Sequence, residues 1–245
     1  MLRLTTRERK IITPLVRSFQ DKRQFLDPFH DTLFGILVKS KDLKPLVHSF
    51  RSRIKDPDHL RDKLARKIRE AEKKNKTFGI TEKNLFTKIN DLAGIRILHL
   101  HTTQIEQIDK VLKRIFDEFE YELIEGPGAR TWDDEYRDFF KGIGFKTLPS
   151  ESLYTSVHYV VGSKSQLKLT CEIQVRTLME EVWGEVDHTI NYPHQHKSVA
   201  CREQIRALAR ATSTSTRLVD AIFATTKDID QTQQKHNKRR KASKK

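Results

Sequence analysis

Apolar residues recur three and four positions apart over most of the chain, and the places where that period changes divide it into elements. Residues 13–26 carry Leu15, Val16, Phe19, Phe25 and Leu26, and residues 29–38 carry Phe29, Leu33, Phe34, Ile36 and Leu37. Both sets have helical spacing. From Asp56 the run DPDHLRDKLARKIREAEKK opens on an acidic turn with Pro57 and places Leu60, Leu64 and Ile68 on one face. A third helix therefore starts there, and the first 75 residues read mostly as helix.

In the middle of the chain the pattern turns to strands. Leu92–Leu100 (LAGIRILHL) has the composition of a buried strand. Residues 104–119 return to helix, with Ile105, Ile108, Val111, Leu112, Ile115 and Phe116 inward, and Tyr121–Ile124 reads as a second strand. This makes a strand–helix–strand unit, which Gly126-Pro127-Gly128 should break. Segment 129–150, with Trp132, several acids, Gly142 and Gly144, reads as a long functional loop holding a helical turn. Strands at Tyr154–Val161 and Leu167–Val175 are joined by a short polar stretch, which predicts a β-hairpin. Helices follow over 177–190 and 201–227. The expected fold class is α+β, a mixed β-sheet flanked by helices with helical N- and C-terminal extensions. Its parts are an N-terminal helical extension (1–40), a main domain (41–195), a C-terminal helix (196–230) and a basic disordered tail (231–245).

Composition narrows the class. A chain of 245 residues can bury a core without disulfides or a structural metal, and Cys171 and Cys201 have no metal-site spacing. No window approaches 18 uninterrupted apolar residues, and Met1–Arg7 lacks the apolar core of a signal peptide. The expectation is a cytoplasmic protein with no membrane partner. Net charge is +14, and residues 235–245 hold seven Lys or Arg and no acid, so residues 1–234 still carry +7. A basic body implies an anionic partner, nucleotide or nucleic acid; the tail by itself reads more simply as a solvated charge run.

Candidate chemistry sits mainly on the strands. On 169–176, Glu172, Gln174 and Arg176 share one face, opposite Cys171, Ile173 and Val175. Such a face lines a polar cleft or lies open to solvent. Asp91 stands just before the strand at 92–100, and two carboxylates within reach of one another suit Mg²⁺ held jointly with substrate phosphates. Arg51, Arg53, Lys55 and Lys63 flank the start of the third helix, an anion site or a solvated basic face. Arg96, inside an apolar strand, must find a carboxylate, a phosphate or an aromatic plane. Tyr154, Ser156 and His158 fall on one side of a strand, where a tyrosine either stacks on a base or packs in the core.

Four blocks, SFRSRIKDPDHLRDKLARK, NDLAGIRIL, LYTSVHYVV and CEIQVRTLMEEVWGEVDHTINY, occur in this order over about residues 40–195. Together they resemble the synthetase domain of the RelA/SpoT family, the alarmone synthetases that make (p)ppGpp, and most of all its small single-domain members. The resemblance implies a nucleotidyltransferase-like synthetase fold and a Mg²⁺-dependent pyrophosphokinase, which moves the β,γ-diphosphate of ATP to the 3′-hydroxyl of GDP or GTP. By similarity Arg53, Lys55 and Lys63 would hold the ATP phosphates, and Arg96 would stack on adenine. Asp91 would bind Mg²⁺, and Glu172 would help bind it or activate the 3′-hydroxyl. Tyr154 would stack on guanine, with His158, Gln174 and Arg176 beside the acceptor.

One departure concerns that acceptor. The family's loop commonly reads Lys-x-Asn-Gly-Tyr, and here it reads Ser150-Glu151-Ser152-Leu153-Tyr154. Two alternatives therefore stand beside the alarmone reading: a toxic family member that pyrophosphorylates the 3′ end of tRNA, and a catalytically dead RNA- or nucleotide-binding module. RNA on the basic surface, a homo-oligomer and an antitoxin partner stay open. The lone His30-Asp31 pair has no second HD-x-x-E-D block downstream, so no hydrolase site is expected.

Overall fold

The computed structural model describes residues 2–150, 153–191 and 196–242, with side chains to 234. Its centre is a six-stranded mixed sheet of order β1-β2-β6-β5-β3-β4. The strands are β1 (Ser49–Ile54), β2 (Ala93–His99), β3 (Glu122–Thr131), β4 (Lys146–Pro149), β5 (Ser156–Gly162) and β6 (Thr170–Thr177). The helices are α1 (Thr6–Asp21), α2 (Arg23–Lys39), α3 (Pro57–Lys73), the short α4 (Leu85–Lys88), α5 (Gln104–Glu118), α6 (Asp134–Gly142), α7 (Leu178–Asn191) and α8 (Val199–Ala242). The expected α+β class holds. Among the described residues no helix is long and apolar enough to cross a membrane.

Local chemistry starts the elements where they start. Thr5 and Glu8 close a reciprocal cap on α1, Thr5 N donating to Glu8 at 2.7 Å and Glu8 N to Thr5 at 3.1 Å. Asp56 caps α3 by accepting from the Asp58 and His59 amides, with Pro57 at its first turn. Leu60, Leu64 and Ile68 are buried on the expected face. Inward from β2, β6 and β5 point Ile95, Ile97, Ile173, Val175, Val157 and Tyr159, all fully or almost fully buried beneath helices that include α2 and α5. Ile12, Leu15, Phe19, Leu26, Leu33 and Leu37 join the same core, so α1 and α2 are built into it. Each such side chain contributes about 1.5–3 kcal/mol through burial.

Several expectations change. Ser49–Ile54 is a strand within the stretch read as helical; at the sheet edge it shows solvent three consecutive exposed residues, Arg51, Ser52 and Arg53, and little alternation. The first two helices divide at Lys22 rather than near residue 28, and Pro28 lies inside α2. Gly126-Pro127-Gly128 does not end the second strand: β3 runs to Thr131 through register shifts against β5. Gly126 makes this feasible, because its φ is +113° and a Cβ there would come within 2.6 Å of the His158 carbonyl oxygen. Segment 129–150 is the end of β3, then α6 and β4, rather than a loop. The hairpin forms, but over Ser156–Gly162 and Thr170–Thr177. The last helix continues past 230 to Ala242 in place of the expected disordered tail, across a run free of Gly and Pro.

Candidate active site

The strand register gathers the polar residues on the face away from the core. Gly94 pairs with Glu172 and Arg96 with Gln174 between β2 and β6, while His158 of β5 stands across from Gln174. On the other side, Arg51 and Arg53 of β1 lie opposite Arg96 and Gly94. The face read from period 2 on β6 is confirmed: Cys171, Ile173 and Val175 are buried, and Glu172 and Gln174 are partly open. Asp91 enters from a 3₁₀ turn, Asn90–Leu92, just before β2. Lys55 follows β1, and Lys63 reaches in from α3.

Asp91 is the electrostatic hub. Lys55 Nζ donates to its Oδ2 at 2.8 Å, and Lys63 Nζ lies 2.7 Å from Oδ1. Burial alone would raise the Asp91 carboxyl, but the two lysines together outweigh it and bring it down to about 2. Burial lowers the Lys55 ammonium in turn, with Asp91 pulling it back up. Glu172 forms a second node: His158 Nδ1 is 3.0 Å from Oε1, and Gln174 Nε2 donates to Oε2 at 2.9 Å. Burial works to raise this carboxyl as well, yet the bonds from His158 and Gln174 leave it below its ordinary value. Both carboxylates are therefore ionised at neutral pH.

Three clefts converge on Asp91. One of about 270 Å³ is walled by Arg51, Arg53, Arg96 and His188. A second of about 340 Å³ lies among Arg53, Lys55, His59, Lys63 and Arg66. The third, about 780 Å³, runs past Tyr154 and His158 to Lys88, Arg130 and Lys146. Glu172 and Gln174 line both the first and the third, so the carboxylates stand where two ligand spaces meet.

Of the ten residues to which the resemblance gave a site role, nine line these clefts: Arg53, Lys55, Lys63, Asp91, Arg96, Tyr154, His158, Glu172 and Gln174. Tyr154 lies just before β5 instead of in it, yet its ring meets His158 edge-on at 5.9 Å and its hydroxyl donates to Gln174 at 3.4 Å. Arg176 is the exception. It is buried beneath the Tyr154 ring, 5.5 Å from its centroid, and ion-paired to Glu181. Arg96 finds carboxylates, Glu181 at 3.1 Å and Glu185. Glu151 and Ser152 of the altered loop, and Tyr192, lie outside the described residues.

Sequence reasoning missed Arg130, Lys146, Glu181 and Glu185. The first two sat in a segment read as loop. The glutamates stand four apart on α7, a spacing that puts both on one helix face and was legible beside the strand arginines. In the lone His30-Asp31 pair, His30 is buried and its Nδ1 lies 3.1 Å from Asp31 Oδ1. Among the described residues no group of three or more His, Cys, Asp or Glu is placed to hold a metal ion.

Residues 52–197 match the model for the region found in RelA / SpoT proteins. The GTP pyrophosphokinase YwaC of Bacillus subtilis (strain 168) is 26% identical over 171 residues, covering 66% of this chain and 68% of that one. The crystal structure of small alarmone synthetase 1 from Bacillus subtilis aligns over 88% of this chain and 97% of its own, with TM-score 0.57 and 19% identity. A GTP pyrophosphokinase family protein from Streptococcus pneumoniae aligns over 92% and 97%, with TM-score 0.56 and 16% identity. These likenesses establish a shared fold.

Proposed function

The chain belongs to the RelA/SpoT family, and on that premise we propose that it is a GTP pyrophosphokinase, a synthetase acting in the cytoplasm. It transfers the β,γ-diphosphate of ATP to the 3′-hydroxyl of GDP or GTP. The 3′-oxygen bonds to the β-phosphorus, the bond from that phosphorus to the α,β-bridging oxygen breaks, and AMP leaves. The carrying observation is that two nucleotide-scale clefts share Asp91, Glu172 and Gln174 along their common border. A structure of small alarmone synthetase 1 with its product pppGpp and another with AMPCPP share the fold, which agrees with this reading.

ATP occupies the arginine-walled side, its phosphates among Arg53, Lys55 and Lys63. The acceptor occupies the larger cleft, its base against Tyr154 and its phosphates towards Arg130 and Lys146. Phosphoryl transfer of this type depends on alignment and charge neutralisation more than on covalent help from the protein. Two ionised carboxylates at the junction are hard oxygen donors and fit a Mg²⁺ ion shared with substrate phosphates. When bound, that ion would neutralise charge building on the transferred group. Glu172, ionised and steadied by His158 and Gln174, receives the hydrogen of the acceptor 3′-hydroxyl.

The test is transfer of label from [β-³²P]ATP with Mg²⁺ to GDP, GTP, ADP or deacylated tRNA. Label on GDP or GTP with matching release of AMP is expected. Label on tRNA alone would mean that the altered loop before Tyr154 has redirected the enzyme, and no transfer at all would leave a binding module.

A further inference from the structure

Three arginines on adjacent strands find their counter-charges on one turn of α7. Glu181, only 5% exposed, pairs through Oε1 with Arg51 at 3.4 Å and Arg96 at 3.1 Å, and through Oε2 with Arg176. Glu185, one turn on, pairs with Arg51 at 3.9 Å and with Arg96, but with no arginine on β6 among the described residues. Its side chain is 45% exposed. The two glutamates thus differ in reach: Arg51 and Arg96 wall the smaller cleft, whereas Arg176 carries the Tyr154 ring that lines the larger one.

Nor can Arg176 relax away. A Cβ at Gly184 would come within 2.7 Å of its Nη1, so α7 lies directly on the guanidinium. A guanidinium this buried needs its carboxylate, and a carboxylate shared by three guanidiniums fixes their relative positions.

We infer that Glu181 is a positioning residue that sets the donor and acceptor clefts together, one oxygen to each, while Glu185 steadies the donor side alone. The inference rests on the assignment of ATP to the smaller cleft and the acceptor to the larger. It makes the geometry of the two nucleotide sites a joint property of one buried side chain.

The full chain and its Glu181→Gln and Glu185→Gln variants would be titrated calorimetrically, in Mg²⁺ buffer, with AMPCPP and separately with GDP. Thermal unfolding identifies folded protein. Glu181→Gln should weaken both nucleotides by roughly tenfold, a loss of ~1.4 kcal/mol each. Glu185→Gln should weaken AMPCPP alone. Should Glu181→Gln fail to fold, Glu181→Asp, which keeps the charge but draws it back by one methylene, should show the same two-sided loss at smaller size. A folded Glu181 variant that binds both probes as the parent does, or loses only one, overturns the inference and leaves Glu181 a stabilising ion pair. A parent that binds AMPCPP but not GDP overturns it as well, by removing the acceptor assignment. A parent that binds both yet transfers no label overturns the proposed activity instead, and the two-sided effect remains readable from binding.

Discussion

The two clefts that meet at Asp91 and Glu172 handle positive charge in opposite ways. On the smaller side, Arg51 and Arg96 are already paired with Glu181 and Glu185, and on the phosphate side Lys55 and Lys63 are paired with Asp91. On the larger side, Lys67, Lys88, Arg130 and Lys146 pair with no carboxylate among the described residues. One cleft is held in shape largely by internal counter-charges, although Arg53, which also walls it, has no carboxylate partner among the described residues. The other leaves most of its cations unpaired among the described residues, Lys63, held by Asp91, being an exception. An internally paired site gives up part of its attraction for phosphate in exchange for fixed geometry, whereas an unpaired one attracts strongly but is screened by salt. If the larger cleft takes the acceptor as proposed, Arg130 and Lys146 on β3 and β4 would supply the positive charge that Ser150 does not.

The severest way to break this comparison is to remove its shared border. Asp91→Asn and Glu172→Gln should each lower transfer by about 10²–10³-fold, the range for losing one transition-state charge contact, in protein that still melts cooperatively. A labelled-ATP assay checks the rate; a variant with no unfolding transition would mark its acid as structural.

Next comes Tyr154→Ala, which should cost the acceptor about 1–3 kcal/mol of affinity, as for base–aromatic stacking elsewhere, and leave AMPCPP unchanged. Tyr154→Phe keeps the π-face and should retain most of that affinity. Loss of AMPCPP binding with acceptor binding intact would reverse the assignment of the clefts.

Arg130→Ala and Lys146→Ala should each weaken GDP by ~0.5–1 kcal/mol at low salt, the deficit shrinking as ionic strength rises. AMPCPP binding, held among pre-paired groups, should depend less steeply on salt. Equal salt slopes for the two nucleotides would erase the distinction.

The smallest effect is on stability against pH. The Asp91 carboxyl has an ordinary value of 3.8 and is brought to about 2 in the fold. Its ionised form therefore stabilises the folded chain in full above about pH 4, and that contribution is lost as pH falls towards 2. The stability gap between parent and Asp91→Asn, measured by urea unfolding, should be flat near neutrality and close across that acid window. A gap independent of pH would mean that the two lysines do not clamp an ionised carboxylate.

The four sequence blocks, the polar face of β6, the helix caps and the apolar faces of α3 and α5 were all legible in the chain, because each depends on residues near one another in sequence. Period 2 separated Glu172 and Gln174 from Ile173 and Val175 without any knowledge of their partners. The larger cleft was less legible. β3 and β4 pair in parallel across an intervening helix, and Gly126 and Pro127 sit inside a strand that only the register with β5 sustains. Short strands of that kind take their identity from neighbours distant in sequence. Arg176 shows the limit most plainly. Its alternation with Val175 put it on the same sheet face as Glu172 and Gln174, but α7 descends on that end of the sheet and buries the guanidinium beneath Tyr154, away from the clefts. Residue types and faces were determined by the sequence alone. Which charges are spent on each other and which are left for a nucleotide was decided only when α7 packed across β1, β2 and β6, because pairing over such distances depends on tertiary approach and not on local periodicity.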